Sequence, residues 1–469
     1  MIRRLAGSAA FVLAVCAAAP AGAQPYPGEA EFRGLYKELI EINTTLSVGS
    51  CTQAAQAMGA RLKAAGYPDK DIQVLVPAGR PKDGNLIATL AGSDAGLKPI
   101  LLLAHIDVVE ARREDWARDP FKLVEENGYF YARGASDDKS MAAAFTDAMI
   151  RYKREGFKPR RGLKLALTCG EETPDTFNGV RWLLANHRGA LDAQFALNEG
   201  AAGRLDGDRR LFLGIQAGEK VYQDFGLEIT NPGGHSSRPS KDNAITRLSA
   251  ALVRIGAYDF PARLNEATRL HFERMSAIRG GPVGAEMKAV LANPTPSASV
   301  AALARDAGYN SMMRTTCVAT MVDAGHALNA LPQRATANVN CRILPGEDIA
   351  VVMQTLKQVA DDPAVTFTAK GEPSPVSPAP PLTPAITGPA AAVARELWGD
   401  VPLAPAMSTG ATDGRFLLAA GVPTYGLSGM FGEADGGGTH GLNERIRVRS
   451  LYDGREYLYR VVKLYANAR

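Results

Sequence analysis

The sequence predicts an α/β protein with a mainly parallel sheet flanked by helices, into which a smaller ferredoxin-like α+β domain is inserted. Three observations support this fold class. The chain has 469 residues, more than one ordinary hydrophobic core accommodates. Helical and strand-like patterns alternate from Glu29 to about Gly218, which is typical of parallel sheets covered by helices. A β-α-β-β-α-β order follows, and the chain then returns to the first pattern.

The first segment of the larger domain is expected at residues 24–218. Its clearest elements are two helices and two buried strands: helix Thr52 to Ala65, strand Ile100 to Ala104, helix Lys139 to Glu155 and strand Leu163 to Thr168. Ligand sites of open α/β sheets lie beyond the carboxyl ends of the strands. Reactive side chains just after these strands are therefore candidate site residues.

The inserted domain is expected at residues 219–372. Its predicted elements are strand Tyr222 to Thr230, helix Asp242 to Ile255, strands Thr315 to Val322 and Ala335 to Ile343, helix Glu347 to Ala360 and strand Val365 to Ala369. The stretch from Pro261 to Tyr309 interrupts this order, is partly helical, and has no role that the sequence indicates.

A proline-rich linker, Pro373 to Pro384, begins the second segment of the larger domain at residues 373–469. The strand Thr424 to Leu427 and the last helix, Arg449 to Ala466, are expected to complete the first sheet.

The N-terminus is typical of a secretory signal peptide at residues 1–23. Two arginines precede an apolar run from Ala9 to Ala19, and cleavage is expected after Ala23. The alternatives are a membrane anchor, for which this run is shorter than the roughly 20 residues required, and a lipid anchor through Cys16, which Val15 disfavours. The mature protein is thus expected to be secreted or periplasmic and free of the membrane.

The charge distribution bears on the class of partner, and the cysteine content bears on disulfide pairing. The 53 basic residues are scattered among 49 acidic ones, for a net charge of +4, which argues against nucleic acid as a partner. Export leaves four cysteines where disulfides persist. Cys317 and Cys341 could face each other across a hairpin centred on Asn329, although free buried cysteines are also common.

Histidines and carboxylates recur where predicted strands end. They stand in the motifs His105-Ile106-Asp107, Ser136-Asp137-Asp138, Glu171-Glu172, Asn198-Glu199-Gly200 and Thr439-His440-Gly441. Each motif alone has an ordinary structural explanation, such as a helix cap or a solvated pair. Together they suit zinc or a similar divalent ion, and a bridging carboxylate would allow two ions. Metal-activated water then predicts hydrolysis, with one of the adjacent glutamates as a general base.

With these motifs the chain resembles the zinc exopeptidases and amidases that include acetylornithine deacetylase, succinyl-diaminopimelate desuccinylase, aminoacylase, carnosinase-type dipeptidases and glutamate carboxypeptidase. The resemblance implies two Zn²⁺, one held by His105, Asp137 and Glu199 and the other by Asp137, Glu172 and His440. It further implies Glu171 as general base, a cis peptide at Asp137-Asp138, and Asp107 accepting the free N–H of His105. Cobalt or manganese would suit the same ligands.

The resemblance also implies substrate-binding residues. His235, in Gly233-Gly234-His235-Ser236-Ser237, would polarise the scissile carbonyl, often in a partner subunit's active site. Asn329 and Arg342 match lid residues, and Arg415 would bind a terminal carboxylate of a peptide or N-acyl amino acid. The inserted domain would then be a lid and dimerisation domain. The stretch from Pro261 to Tyr309 leaves the homodimer open, because an enlarged lid can present its own histidine.

Two sequence features differ from the usual pattern of this family, and two other functions compete with metal-dependent hydrolysis. Ser140 replaces the usual glycine, and the loop before Asp413 reads Thr-Gly-Ala-Thr; neither change removes a ligand.

A catalytically silent peptide- or metal-binding protein on the same scaffold is the main alternative, but it would have no need for an unligated base such as Glu171. A serine esterase is not supported, because no Gly-x-Ser-x-Gly motif accompanies Ser236 or Ser237.

Overall fold

The computed structural model describes residues 26–173, 176–295, 297–371 and 375–468. The predicted signal peptide, at residues 1–23, lies outside them. None of the helices in the described ranges has both the length and the apolar character needed to cross a membrane.

Among its described residues, the first segment contains five α-helices and nine strands. The helices are α1 (Glu29–Glu41), α2 (Cys51–Ala64), α3 (Lys139–Arg154), α4 (Gly179–Asn186) and α5 (Arg188–Leu191). The strands are β1 (Ile72–Leu75), β2 (Asn85–Leu90), β3 (Ile100–His105), β4 (Val124–Glu126), β5 (Tyr129–Tyr131), β6 (Leu163–Thr168), β7 (Phe195–Asn198), β8 (Gly203–Asp206) and β9 (Arg209–Glu219).

The remaining elements belong to the inserted segment and to the return of the chain. The inserted segment contains β10 (Val221–Thr230), β11 (Gly234–His235), α6 (Ala244–Ala257), α7 (Glu266–Arg279), α8 (Gly281–Ala292), α9 (Ala298–Leu303), α10 (Ala307–Met313), β12 (Thr316–Ala324), β13 (Ala330–Leu331), β14 (Arg334–Ile343), α11 (Ile349–Ala360) and β15 (Thr366–Lys370). The return contains α12 (Pro384–Trp398), β16 (Leu403–Ser408), α13 (Gly414–Ala419), β17 (Thr424–Gly426), β18 (Phe431–Gly432), β19 (Arg445–Arg447) and α14 (Val448–Asn467).

The large sheet has the order β1-β2-β6-β3-β7-β17-β9-β8-β18, with β16 paired to β9. Its centre, β6-β3-β7-β17, is parallel. Every residue of β3 is buried because helices cover both faces of the sheet. The returning strand β17 pairs with β7, so the last part of the chain completes the first sheet. The predicted fold class is confirmed.

The small sheet has the order β12-β14-β10-β15 and is antiparallel throughout. Helices α6 and α11 contribute Leu248 and Leu356 to a core with Phe225 of β10, separate from the core of the large sheet. This is the ferredoxin-like arrangement that the order of elements predicts. The side chains of Asn243 and Asp348 cap α6 and α11, which explains why both helices begin later than expected.

Helices α7 to α10 form a separate unit within the inserted segment. They enclose a small core that includes Phe272, Met287 and Met313. Helix α7 lies against β16 of the large sheet, where Nδ1 of His271 is 2.8 Å from the carbonyl oxygen of Pro405. The helical unit extends to Met313, four residues beyond the predicted end of the interrupting stretch, because Asp306 caps one further helix.

Two disulfide bonds join the four cysteines of the described chain. Cys317 and Cys341 are directly paired across β12 and β14 and form one of them, which confirms the proposed pairing. The other joins Cys51, at the start of α2, to Cys169, just after β6. The sequence left this second pairing open, because its partners are 118 residues apart.

Candidate metal centre

The parallel strands bring distant polar residues to one edge of the sheet. His105 ends β3, Glu199 follows β7, and Glu171 and Glu172 follow β6 after a two-residue turn. Gly170 in this turn has a φ of +87°, and a Cβ there would lie 2.4 Å from the carbonyl oxygen of Phe177. A glycine is therefore required to place the two glutamates.

Asp137, the expected bridging ligand, lies between His105 and His440. Nε2 of His105 is 2.9 Å from Oδ1 of Asp137, and Nε2 of His440 is 3.0 Å from Oδ2 of the same carboxylate. Oε1 of Glu199 is 3.7 Å from the His105 nitrogen, and Oε1 of Glu172 is 3.0 Å from the His440 nitrogen. Each trio offers ligand atoms within 4.8 Å of one another. These are the two trios that the resemblance implies, and the peptide bond Asp137-Asp138 is cis as expected.

The electrostatics of this cluster favour bound cations. Burial would lower the pKa of His105, but the surrounding carboxylates of Glu199, Asp107 and Asp137 raise it well above its usual value. Burial would raise the pKa of Asp137, yet hydrogen bonds from His105 and His440 hold it below its usual range. A cluster that favours positive charge this strongly, with nitrogen and oxygen donors, fits divalent metal ions such as zinc.

Glu171 is half-buried beside the proposed ligands. Burial and the neighbouring carboxylates of Asp413, Glu172 and Asp107 raise the pKa of Glu171 well above its usual value, while His105 opposes the shift. Glu171 also falls within 4.8 Å of His105 and Glu172, so distance alone does not distinguish it from a ligand. Glu172 differs because it also belongs to the trio with Asp137 and His440.

The carboxylate of Asp107 contacts the main chain of Glu171 and Glu172 more closely than it contacts His105. Its carboxylate accepts hydrogen bonds from the backbone N–H of Glu171 at 3.2 Å and of Glu172 at 3.0 Å. Nδ1 of His105 lies 3.1 Å from the backbone carbonyl of Asp107 but 3.6 Å from its Oδ1. The nearest acceptor for the Nδ1–H of His105 is therefore the main-chain oxygen of Asp107 and not, as expected, its carboxylate. The carboxylate instead faces the turn that contains Glu171 and Glu172.

Glu444 is a buried residue of the site that the sequence did not single out. Its carboxylate accepts hydrogen bonds from the backbone N–H groups of Ser136 at 2.7 Å and Asp137 at 3.0 Å. Arg133 Nη1 pairs with the other oxygen at 2.8 Å. No local pattern marks this glutamate, since its role depends on a contact between residues more than 300 positions apart.

The loop around Asp413 packs against Thr168, the last residue of β6, close to the proposed metal ligands. Asp413 is buried and accepts hydrogen bonds from Thr168 Oγ1 at 3.1 Å and Asn178 Nδ2 at 2.6 Å. Arg415, two residues later, is half-buried, and its Nε has no hydrogen-bond partner among the described residues. A buried donor without a partner fits a residue that awaits an anionic ligand.

Arg342 of the small domain faces the same region. Burial lowers the pKa of Arg342, and the positive charge of Arg415 acts in the same direction. Two cationic side chains that repel each other in this way provide an environment that would stabilise a carboxylate.

His235 and Asn329 lie together at the edge of the small domain. Gly234 and His235 pair with Leu331 and Ala330, and the backbone N–H of Ser236 donates to the carbonyl of Asn329 at 3.0 Å. His235 is exposed, and its ring nitrogen Nδ1 contacts Ser237 Oγ at 2.8 Å. The structure therefore brings the His235 and Asn329 segments together. Among the described residues, no hydrogen bond links His235 to the proposed metal ligands of the same chain.

Comparison with known proteins is consistent with this geometry. A family model described as "Peptidase family M20/M25/M40" matches residues 101–464. The mouse N-fatty-acyl-amino acid synthase/hydrolase PM20D1 is 28% identical over 397 residues, which cover 80% of this chain and 76% of the relative. The probable carboxypeptidase S-like 2 of Dictyostelium discoideum is 27% identical over 393 residues, covering 81% and 74%.

Solved structures share the fold. The M20 family metallo-carboxypeptidase Sso-CP2 from Sulfolobus solfataricus superimposes with a TM-score of 0.70 at 21% identity, covering 93% of this chain and 99% of the other. Human carnosine dipeptidase 1 superimposes with a TM-score of 0.61 at 16% identity, covering 94% and 96%.

Proposed function

Because the chain belongs to the M20/M25/M40 peptidase family, we propose that it is a di-zinc metallohydrolase that cleaves a peptide or amide bond next to a free carboxylate. The observation that carries this proposal is the Asp137 carboxylate, which presents one oxygen to the side of His105 and the other to the side of His440. One trio would be His105, Asp137 and Glu199, and the other Asp137, Glu172 and His440. Cobalt or manganese would fit the same donors.

The bound ions would supply a water molecule of lowered pKa and an electrophile for the scissile carbonyl. Glu171 is the residue that would take the proton from this water and pass it to the leaving nitrogen. Its main chain is held by the Asp107 carboxylate, so its side chain is positioned independently of the substrate.

Recognition of the substrate carboxylate would fall to Arg415 and Arg342, with Asn329 and His235 contacting the carbonyl from the small domain. A guanidinium binds a carboxylate through two parallel hydrogen bonds, which would restrict cleavage to the end of a peptide or to an N-acyl amino acid. Relatives named as carboxypeptidase and as N-fatty-acyl-amino acid hydrolase support both substrate classes.

The exposed position of His235 supports a homodimer in which this residue acts in the partner's site. Strand β12 is an edge of the small sheet and exposes Val318, Met321 and Val322, with exposed fractions of 59%, 71% and 67%. Such an edge is suited to association between chains. We also propose that the enzyme acts outside the cytoplasm, since two disulfides suit an oxidising compartment.

The experiment that tests this function uses the purified mature chain, depleted of metal and then restored with zinc. We expect hydrolysis of dipeptides or N-acyl amino acids, and at least a 100-fold lower rate on the same substrates with an amidated carboxylate. The same assay is repeated with cobalt and with manganese in place of zinc. Binding of substrate without turnover under every metal would instead favour the catalytically silent alternative, which Glu171 argues against.

A further inference from the structure

Arg342, a proposed ligand of the substrate carboxylate, lies on the face of the small sheet that points away from α6 and α11. It stands on β14 between Tyr222 of β10 and Thr316 of β12, its direct neighbours in the two strand pairs. Across the described ranges, no ion pair joins Arg342 to a carboxylate. Its guanidinium is therefore available to a ligand, provided that another contact holds it in place.

The charges around Arg342 are mainly positive. Burial and then the charge of Arg415 lower the pKa of Arg342. The ammonium of Lys220 is also close: burial, and after it the charge of Arg342, lower the pKa of Lys220 to about 7. A guanidinium among other cations gains free energy by pairing with any carboxylate that it can reach.

Asp224 is a carboxylate within reach of Arg342. It lies on the same face of β10 as Tyr222, diagonally across from Arg342. Diagonal neighbours in an antiparallel pair are about 7 to 8 Å apart, a distance that a long side chain spans. The charge of Asp224 already acts on Arg342, because it opposes the lowering of the Arg342 pKa that burial causes. An ion pair between the two would occupy the guanidinium that the substrate carboxylate requires.

Tyr222 contacts both members of this potential pair. Its hydroxyl donates a hydrogen bond to Oδ2 of Asp224 at 2.6 Å, and the amides of Asn338 and Asn340 donate to Oδ1 at 2.8 and 3.0 Å. Both carboxylate oxygens are thus engaged by neutral donors. The ring of Tyr222 lies against the guanidinium, with Cζ of Arg342 4.6 Å from the ring centroid, which is a cation–π contact.

We propose that Tyr222 is a positioning residue for Arg342. Its ring holds the guanidinium, and its hydroxyl keeps Asp224 from pairing with Arg342, so that Arg342 stays available for the substrate carboxylate. The inference rests on the proposed function, because it assumes that Arg342 binds this carboxylate. Tyr222 acts through Arg342 and has no contact with the reacting atoms in this assignment.

The test measures the preference for an N-acyl amino acid over its carboxamide, as the ratio of the two kcat/KM values. A hydrogen bond to a charged group is worth about 10-fold or more in binding, so Tyr222→Leu should lower this ratio at least 10-fold, mainly through KM. The carboxamide rate should change less than about 3-fold, which also reports correct folding. Tyr258→Leu is the matched control, since Tyr258 follows α6 and both tyrosines are 37% exposed.

Asp224→Asn distinguishes this role from simple packing. In the Tyr222→Leu background it removes the charge that competes for Arg342, so the double variant should recover at least 3-fold of the lost preference. Tyr222→Phe keeps the ring and loses only the hydroxyl, and should lower the preference less than Tyr222→Leu. No recovery in the double variant would overturn the role assigned to the hydroxyl and to Asp224.

Calorimetry on the Glu171→Gln variant gives a readout that does not depend on turnover. In this background Tyr222→Leu should weaken binding of the N-acyl amino acid at least 10-fold and leave binding of the carboxamide within about 3-fold. Preferential binding of the acid without hydrolysis by the wild type would overturn the proposed function but support the role of Tyr222. A preference for the acid that Tyr222→Leu leaves intact would overturn the role of Tyr222 alone, and no preference in the wild type would overturn both.

Discussion

The buried carboxylate of Glu444 accepts a hydrogen bond from the backbone N–H of Asp137, the residue whose side chain lies between the two histidines of the candidate metal centre. The same carboxylate also binds the N–H groups of Ser136 and Gly134 and the guanidinium of Arg133. Glu444 thus fixes the main chain of the proposed bridging ligand through contacts that a sequence pattern does not show. A residue that orients a ligand in this way affects metal binding without touching the metal.

Substitution of Glu444 should therefore weaken metal binding more than folding. We expect Glu444→Gln to lower the affinity for zinc by about 10- to 100-fold, since a neutral amide cannot satisfy three N–H groups and Arg133 equally well. Competition with a chromophoric chelator measures this affinity. Glu456→Gln is the matched control, because Glu456 is also buried and paired with arginine but lies on α14. Equal zinc affinity in both variants would contradict the positioning role of Glu444.

Glu171→Gln should separate metal binding from turnover. If Glu171 is the general base, the variant keeps its metal content while kcat falls by about 2 to 4 orders of magnitude. Glu172→Gln, at the adjacent position, should instead lower the zinc content. Metal analysis alongside steady-state kinetics distinguishes the two. If Glu171→Gln lost zinc and Glu172→Gln kept zinc but lost activity, Glu171 would be the ligand and Glu172 the base.

His235→Ala should reduce the rate without releasing zinc. Removal of a group that polarises the carbonyl costs about 10²- to 10³-fold in kcat in comparable sites, whereas His235 has no contact with the proposed ligands of its own chain. His187→Ala, which removes another exposed imidazole, serves as the control. Loss of metal from the His235 variant would show that its role has been misplaced.

Glu219 should make stability depend on pH. Burial raises the pKa of Glu219 to about 7, although Thr412 donates a hydrogen bond at 2.7 Å. Between the usual pKa of about 4.3 and pH 7, the folded state binds a proton that the unfolded state releases. The stabilisation is therefore complete at low pH and is lost as the pH rises to about 7.

Glu219→Gln removes this dependence, because the amide does not titrate. Relative to the wild type, its free energy of unfolding should rise between pH 4 and pH 8 by up to about 3 kcal/mol, at about 1.36 kcal/mol per pKa unit. Urea unfolding at the two pH values measures the change, with Glu228→Gln as the control. Parallel pH profiles of wild type and Glu219→Gln would refute the assignment.

The two disulfides should contribute unequally to stability. Cys51 and Cys169 are separated by 118 residues and Cys317 and Cys341 by 24, for which loop entropy predicts about 5 and about 3.5 kcal/mol. Double alanine variants compared by denaturant unfolding measure both contributions. The Cys51/Cys169 variant should also lose zinc affinity, since Cys169 lies three residues before Glu172, and the other pair supplies the control. Unchanged zinc affinity would indicate that the turn holds the glutamates by itself.

Much of the fold was predictable from the sequence because its information is local. The buried strand at residues 100–105 and the helix that begins at Lys139 have patterns that need no tertiary contact to be recognised. The order of strands and helices then predicted the fold class. The candidate ligands follow from the same logic, since parallel strands place their carboxyl ends at one edge and so bring His105, Glu172 and Glu199 together.

The tertiary structure decided what depends on contacts between remote residues. Only the tertiary structure shows that Glu444 binds the backbone N–H of Asp137 and that the Asp107 carboxylate binds the backbone N–H of Glu172. It also shows the disulfide between Cys51 and Cys169. It also placed Met312 in the wall of the cleft that Asp137 and Glu199 line. The physical reason is that these contacts depend on packing between elements far apart in the chain, whereas hydrophobic periodicity records only whether each residue is buried.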